Sequence, residues 1–262
     1  MMIKKVRVPS PSMRIHLYEV TYMSEGLKVI GLMAEPIGHH SLPGLLYLRG
    51  GIKTVGMVRP QRIIQWASEG FVVFAPYYRG NRGGEGREDF CGNDRFDAIN
   101  GFDLLEQHER VDEVKGIHIV GFSRGGIMAL WTGIYRPQSR SVTCWNGVTD
   151  MVLTYEERVD LRKMMKRVIG GTPWKYPERY EERTPLKNMS EFQPQLLVIH
   201  GEKDEHVSAE HVYQLLDHIP DKNQHRAETW IFPHYRHHFP PMEQADILKK
   251  AASWMKQQKK ST

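Results

Sequence analysis

Residues 116–131, GIHIVGFSRGGIMALW, restrict the fold more than any other stretch of the chain. Ile117 to Val120 is rich in β-branched residues and continuously apolar around one histidine, as suits a strand covered on both faces. The run stops at two glycines placed around Ser123, and from about Arg124 the apolar residues continue as a helix. A strand that turns directly into a helix belongs to a mainly parallel sheet with helices packed on its faces. The segment therefore predicts an α/β fold.

The rest of the chain repeats the alternation. RIHLYEVTYM (14–23) and LKVIGLMAEP (27–36) alternate apolar and polar residues on either side of SEG, which predicts an antiparallel hairpin at one edge of the sheet. GLLYLRGG reads as a buried strand ending in glycines. RPQRIIQWASEG reads as a helix with Ile63, Ile64, Trp66 and Ala67 on one face and Gly70 as its stop. FVVFAP is the next strand, and YYRGNRGGEGREDFCG (77–92) is a polar, glycine-rich loop of a length that usually serves function or moves. Phe96, Ile99, Phe102 and Leu105 recur at three-residue steps and predict a helix from Asp94 to about Arg110. Further strands are expected at SVTCWNG, QLLVIHG (195–201) and ETWIFP (228–233), with helices near 207–218 and 242–257; the last carries Leu248, Ala251, Ala252 and Met255 on one stripe.

Between WNGVTD and QPQLLVIHG the alternation is interrupted by about 45 residues. TYEERVDLRKMMKRVIGG there predicts one amphipathic helix, and TPWKYPERYEERTPL an irregular segment. The stretch is too short for a core of its own, so residues 146–190 are expected to cap the strand ends. The expectation is one domain over residues 1–262, with antiparallel edge strands supplied by residues 1–40.

Composition removes several classes of protein. Cys91 and Cys144 are the two cysteines among 262 residues, too few for a disulfide framework and without metal-ligand spacing. The first residues carry charge but no apolar run, so neither a signal peptide nor a membrane span is expected, and the location expected is cytoplasmic. Net charge is +5, but the excess is spread out, with dense runs only at LRKMMKR and the tail KQQKKST. Without interleaved aromatic residues these read as solvated faces, so no nucleic-acid or membrane partner is expected.

A sharp strand–G-x-S-x-G–helix turn lifts its serine above the sheet, where the amides at the start of the helix point at whatever the hydroxyl attacks. Ser123 is the candidate nucleophile, and the peptide N–H of Arg124 one candidate donor to an oxyanion. A serine needs a base, and the base a carboxylate, in the chain order Ser, acid, His. HGEKDEHV follows a strand and offers Glu202, Asp204 and Glu205; Asp204 is favoured by its spacing to the next helix. FPHYRHHFPP offers His234, His237 and His238; His237 is favoured for lying two residues before Phe239, with His238 next. Gly51, after the strand GLLYLRGG, is the candidate for the second oxyanion N–H. Such chemistry requires neither metal nor organic cofactor.

GFSRGG, TPL followed by PQLLVIHGEKDEHV, HHF, and YYRGNRGGEG occur in this order and resemble the motifs of the prolyl oligopeptidase family of serine hydrolases. The likeness spans about residues 45–255 and is nearest in kind to small cytosolic peptidase-like hydrolases of bacilli. It implies an α/β-hydrolase fold, the triad Ser123, Asp204 and His237, and an acyl-enzyme mechanism on peptide bonds, with small esters as the alternative substrates. About 40 residues precede LRGG, too few for the family's β-propeller, so screening of substrates by a propeller is not expected. Arg49 stands where the family has His or Tyr and, with Met164 and Trp174, is a candidate substrate contact. Arg124 replaces a common aromatic; its charge opposes the helix dipole, so it should pair with an acid or lean toward the pocket. Small members without a propeller often gate access by self-association, which makes a homo-oligomer the expected partner state.

Overall fold

The computed structural model describes residues 1–38 and 40–258. Among these, nine strands form one sheet in the order β1-β2-β3-β5-β4-β6-β7-β8-β9. They are β1 Met2–Val8, β2 Ile15–Ser24, β3 Leu27–Pro36, β4 Gly44–Leu48, β5 Val72–Pro76, β6 Ile117–Phe122, β7 Ser141–Trp145, β8 Gln195–Gly201 and β9 Ala227–Phe232. From β5 to β9 every neighbour is parallel. Apart from β9, which is half exposed, those strands are largely buried, and every residue of β4, β5 and β7 is buried.

The hairpin expected at 14–36 is β2–β3, turned by Glu25 and Gly26 at φ of 47° and 76°, the sign a two-residue hairpin turn needs. It does not occupy the sheet edge. MIKKVRV, legible in the sequence only as a basic terminus, pairs outside it as β1. Lys4 and Arg7 project from that strand into solvent, and charge of this kind discourages pairing with another chain.

Two apolar layers hold the sheet. α1 (Pro60–Ser68) and α8 (Pro241–Gln257) cover one face, through residues such as Ile63, Trp66, Leu248 and Ala252. α2 (Arg95–Glu106), α3 (Gly125–Tyr135) and α7 (Glu210–Asp217) cover the other, through Phe102, Ile127, Met128 and Leu215.

The single helix expected over 154–171 is broken. α4 (Met151–Glu157) stops at Arg158, a 3-10 turn spans Val159–Leu161, α5 is Arg162–Met165, and a wide π-type turn covers Lys166–Gly170. The cause is local. Arg158 grips Asp160 two residues on, with Nε–Oδ1 at 3.0 Å and Nη2–Oδ2 at 2.8 Å. Residues i and i+2 do not face each other on a helix, so the pair requires the break. The segment expected to be irregular contains α6 (Pro177–Glu181) and a 3-10 turn over Leu186–Glu191.

The loop 77–92 is pinned down rather than free. Tyr78, Phe90 and Cys91 are buried, and Arg79 holds Asp97 of α2 with Nη2–Oδ1 at 2.8 Å. Both cysteines are free thiols. In the basic run of the insertion, Arg162 turns back to donate to the carbonyls of Tyr155 and Glu156. Residues 259–262 of the basic tail lie outside the described residues. Among the described residues no helix is long and apolar enough to cross a membrane.

Candidate active site

β6 delivers Ser123 at the carboxyl ends of the parallel strands. Its φ is 56°, a left-handed conformation that costs an L residue energy and persists only where the surroundings enforce it. Here the Ser123 N–H donates to the Trp145 carbonyl at 3.2 Å, and the Ser123 carbonyl accepts from Gly126 and Val148 at 2.8 and 2.9 Å. The flanking glycines are sterically required. A Cβ on Gly121 would lie 2.1 Å from the Gly125 oxygen, and one on Gly125 would lie 2.1 Å from the Leu48 oxygen. The loop leaving β4 passes directly beside the hydroxyl: a Cβ on Gly50 would stand 2.7 Å from Ser123 Cβ and 3.2 Å from Oγ.

Asp204 follows β8, where Oδ1 accepts the N–H groups of His206 and Val207 at 2.8 and 3.0 Å. Oδ2 lies 2.7 Å from His237 Nδ1, with both side chains nearly excluded from solvent. Burial alone would raise the carboxyl pKa of Asp204. The His237 hydrogen bond and charge, together with the two backbone donors, outweigh burial and hold it below the ordinary value. Glu202 and Glu205 are exposed, and Glu205 reaches only the His237 N–H, at 3.4 Å. His234 and His238 are exposed as well; the His238 ring stacks on Phe122, with centroids 5.5 Å apart. His237 is thus the imidazole of its loop that meets the buried carboxylate. Asn146, at the end of β7, fixes that loop by donating to the His237 carbonyl at 2.8 Å and accepting the Gly201 N–H at 3.0 Å. Nothing in the local sequence pattern marked Asn146.

Ser123, His237, Arg124, Gly51 and Met164 all line one cavity of about 600 Å³. The loop 50–59 and Thr154, Arg158 and Leu161 of the insertion contribute to its lining. Two sequence-based substrate contacts are not brought there. Trp174 is 67% exposed and packs edge-on against Tyr155 outside the cavity, because the broken helix turns that segment outward. Arg49 points beneath the loop instead of into the cavity. Its guanidinium donates to the Gly50, Val55 and Tyr77 carbonyls and to Glu88.

Glu88 is the centre of a buried cluster that the glycine-rich loop concealed. Its Oε1 accepts from Arg49 Nη2 at 2.7 Å and Arg124 Nη2 at 2.9 Å, and its Oε2 from the Lys53 N–H at 2.5 Å. Arg124 also reaches Asp94 at 3.3 Å and lies over the Tyr78 ring at 4.9 Å. Burial pushes the Asp94 carboxyl up to about 7 against the pull of Arg124. Two arginines beside a candidate nucleophile each require an acid, and that requirement was the available signal for Glu88. One carboxylate thereby joins the loop 50–56, the start of α3 and the loop 77–92.

A mostly parallel sheet with helices on both faces and a serine at a strand–helix turn defines an α/β-hydrolase. The chain belongs to the prolyl oligopeptidase family, whose model matches residues 58–262, and it is a serine hydrolase. It is 55% identical over 258 residues to the uncharacterised peptidase YtmA of Bacillus subtilis (strain 168), covering 98% of this chain and 99% of that protein. It is 24% identical over 264 residues to the uncharacterised peptidase YuxL of the same organism, covering 91% of this chain but 38% of that protein. Among solved structures, the acylaminoacyl peptidase of Pyrococcus horikoshii superposes with a TM-score of 0.78 at 19% identity, over 95% of this chain and 42% of that one. The acetyl xylan esterase from Paenibacillus sp. R4 superposes with a TM-score of 0.75 at 18% identity, over 95% and 88% of the two chains. At such identities the two superpositions speak for the fold alone.

Proposed function

We propose that the protein cleaves aminoacyl or oligopeptide bonds through a Ser123–His237–Asp204 triad and an acyl-enzyme intermediate. The observation that carries this reading is the 2.7 Å contact of His237 Nδ1 with a buried Asp204, in a loop whose histidine shares a cavity with Ser123. Asp204 holds the imidazole in the tautomer whose Nε2 is a base and stabilises the cation it becomes. As Ser123 Oγ attacks the carbonyl carbon, His237 takes the hydroxyl proton. The N–H groups of Arg124 and Gly51 receive the charge on the carbonyl oxygen. His237 then passes the proton to the leaving group as the scissile bond breaks, and water repeats the cycle to release the acid.

A fluorophosphonate should label the wild-type protein and fail to label Ser123→Ala. Equal labelling of both would remove the assignment. Esters are the second reading, because the same chemistry accepts them with better leaving groups. Aryl esters assayed beside aminoacyl amides separate the two: turnover of esters alone would overturn the peptide assignment.

A further inference from the structure

Charge in the cavity is one-sided. Arg59, Arg62 and Arg158 line it together with His206 and His238, and no Asp or Glu is among its described lining residues. Of the nearby acids, exposed Glu205 meets the His237 N–H at 3.4 Å without lining the cavity, while Asp204 is taken by His237, Glu88 by Arg49 and Arg124, and Asp160 by Arg158. Arg158 is thereby largely neutralised. Arg59 and Arg62 are not, since neither has a carboxylate partner among the described residues, and Arg62 makes only a long 3.4 Å contact with Gln65. Both stand at the start of α1, where the oxyanion loop ends.

Their side of the serine can be assigned. His238 stacks on Phe122, the residue preceding Ser123, and its ring lies 5.1 Å from that of His237. Arg62 lines the same cavity as His237 and His238, and its charge reaches His238, whose pKa is lowered by partial desolvation, by the neighbouring His237 and His206 and by Arg62. In acyl transfer the histidine side is where the leaving group departs, because the imidazole must protonate it.

We propose that Arg59 and Arg62 form a carboxylate subsite for the departing fragment, so that the enzyme prefers short peptides cut close to a free carboxyl terminus. A substrate that presents only an ammonium finds no counter-charge in the cavity and meets cations instead. A carboxylate exchanges water for charge-assisted hydrogen bonds from two guanidinium groups that have no competing acid. This subsite rests on the hydrolase reading for its orientation, but its charge preference is measurable without turnover.

Ser123→Ala protein, titrated calorimetrically, provides the test. The probes are N-acetyl-trialanine, its C-terminal carboxamide, and trialaninamide with a free amine. The free acid should bind about tenfold more tightly than its carboxamide, a gap in the range of charge-assisted hydrogen bonds. The gap should shrink as salt is raised and approach unity in an Arg59→Gln/Arg62→Gln background, and the free amine should give no advantage. Equal binding of acid and carboxamide, a gap indifferent to salt, or tightest binding by the amine would overturn the subsite. If the double substitution fails to fold, the salt series on the otherwise unaltered protein decides alone. Fluorophosphonate labelling of the wild-type protein is a separate readout. Its absence would remove the hydrolase reading and leave the binding comparison intact.

Discussion

Backbone next to the serine tolerates little, and Gly50 shows why. Its φ is not in the left-handed region, so alanine is conformationally allowed there, yet an added Cβ would press on Ser123 Cβ at 2.7 Å and Oγ at 3.2 Å. Gly50→Ala should therefore fold with a loss of about 1–3 kcal/mol, typical of overpacking. Its kcat should fall about 100-fold, the scale of a misplaced reacting group. Steady-state kinetics beside a urea titration separate the two effects, and an unchanged kcat would show that the loop does not crowd the hydroxyl. Glu88 sits on the stability side of the same site. Its side chain is 2% exposed and it neutralises two guanidiniums that are 1% and 2% exposed. Glu88→Gln leaves Arg124 with Asp94 alone and Arg49 with no ion-paired carboxylate among the described residues, and breaking a buried pair in this way costs about 3–5 kcal/mol. Urea unfolding of the variant should show that loss; a change below about 1 kcal/mol would mean that the arginines find other partners.

Elements were legible where their causes are local. The parallel strands announce themselves because burial on both faces demands unbroken apolar runs, and the turn at Ser123 because only glycine fits beside two carbonyl oxygens. β1 was not legible: a charged edge strand looks like a solvated terminus until its partner is known. The break at Arg158 likewise depends on which way one side chain swings. Within the site, the sequence narrows the histidine to three and favours His237 only by its spacing to Phe239. Which ring meets Asp204 depends on Asn146, 91 residues away in sequence from His237, holding the loop. Arg49 was misdirected because the partner that draws it inward, Glu88, lies 39 residues later in an aperiodic loop. Contacts of that range also fasten β1. Glu35 of β3 binds Lys5 of β1, His108 Nε2 at 3.0 Å and Arg110 Nη1 at 3.0 Å. Burial would raise its pKa, but the His108 and Lys5 hydrogen bonds bring it from 4.5 to about 2. A carboxyl depressed in the fold stabilises fully above its unfolded value, and the contribution fades as pH falls from about 4.5 toward 2. Glu35→Gln should accordingly lower Tm at neutral pH and cost progressively less as pH approaches 2. A pH-independent deficit would mean that the ion pairs are not its source.

Across the whole molecule, each apolar layer buries a histidine that resists protonation. His118 of β6 lies edge-on to Phe71 and shares a 2.8 Å hydrogen bond with Ser141 Oγ; burial, reinforced by Arg140 and Lys256, lowers its pKa to about 3. His211 of α7 accepts the Thr149 and Asp150 N–H groups on Nδ1 at 3.2 and 3.4 Å. Burial and the neighbouring His200 lower its pKa to about 3, against the pull of Asp204. Both are neutral in the fold at any pH above that. The unfolded chain takes up a proton at each as pH drops below 6.5, so it binds more protons than the native state between 6.5 and about 3. Stability is fully present above 6.5 and declines through that window, by about 1.4 kcal/mol per pH unit for each histidine once the unfolded side chain is protonated. Asp94, whose carboxyl burial raises to about 7, takes up a proton in the fold over the same window and offsets about one histidine, so urea midpoints converted to free energies should fall only gently below pH 6, before carboxylates such as Glu35 start to titrate. His118→Asn, which can retain the bond to Ser141, should lessen the decline between pH 6 and 5 by the His118 share and leave that of His211 and of the similarly lowered His200. Because the two histidines pack on opposite faces of one sheet, far-ultraviolet dichroism and tryptophan fluorescence should report the same midpoint at each pH. Separate midpoints would mean that the layers protonate and open independently, and an unaltered slope in His118→Asn would assign the acid sensitivity to other groups.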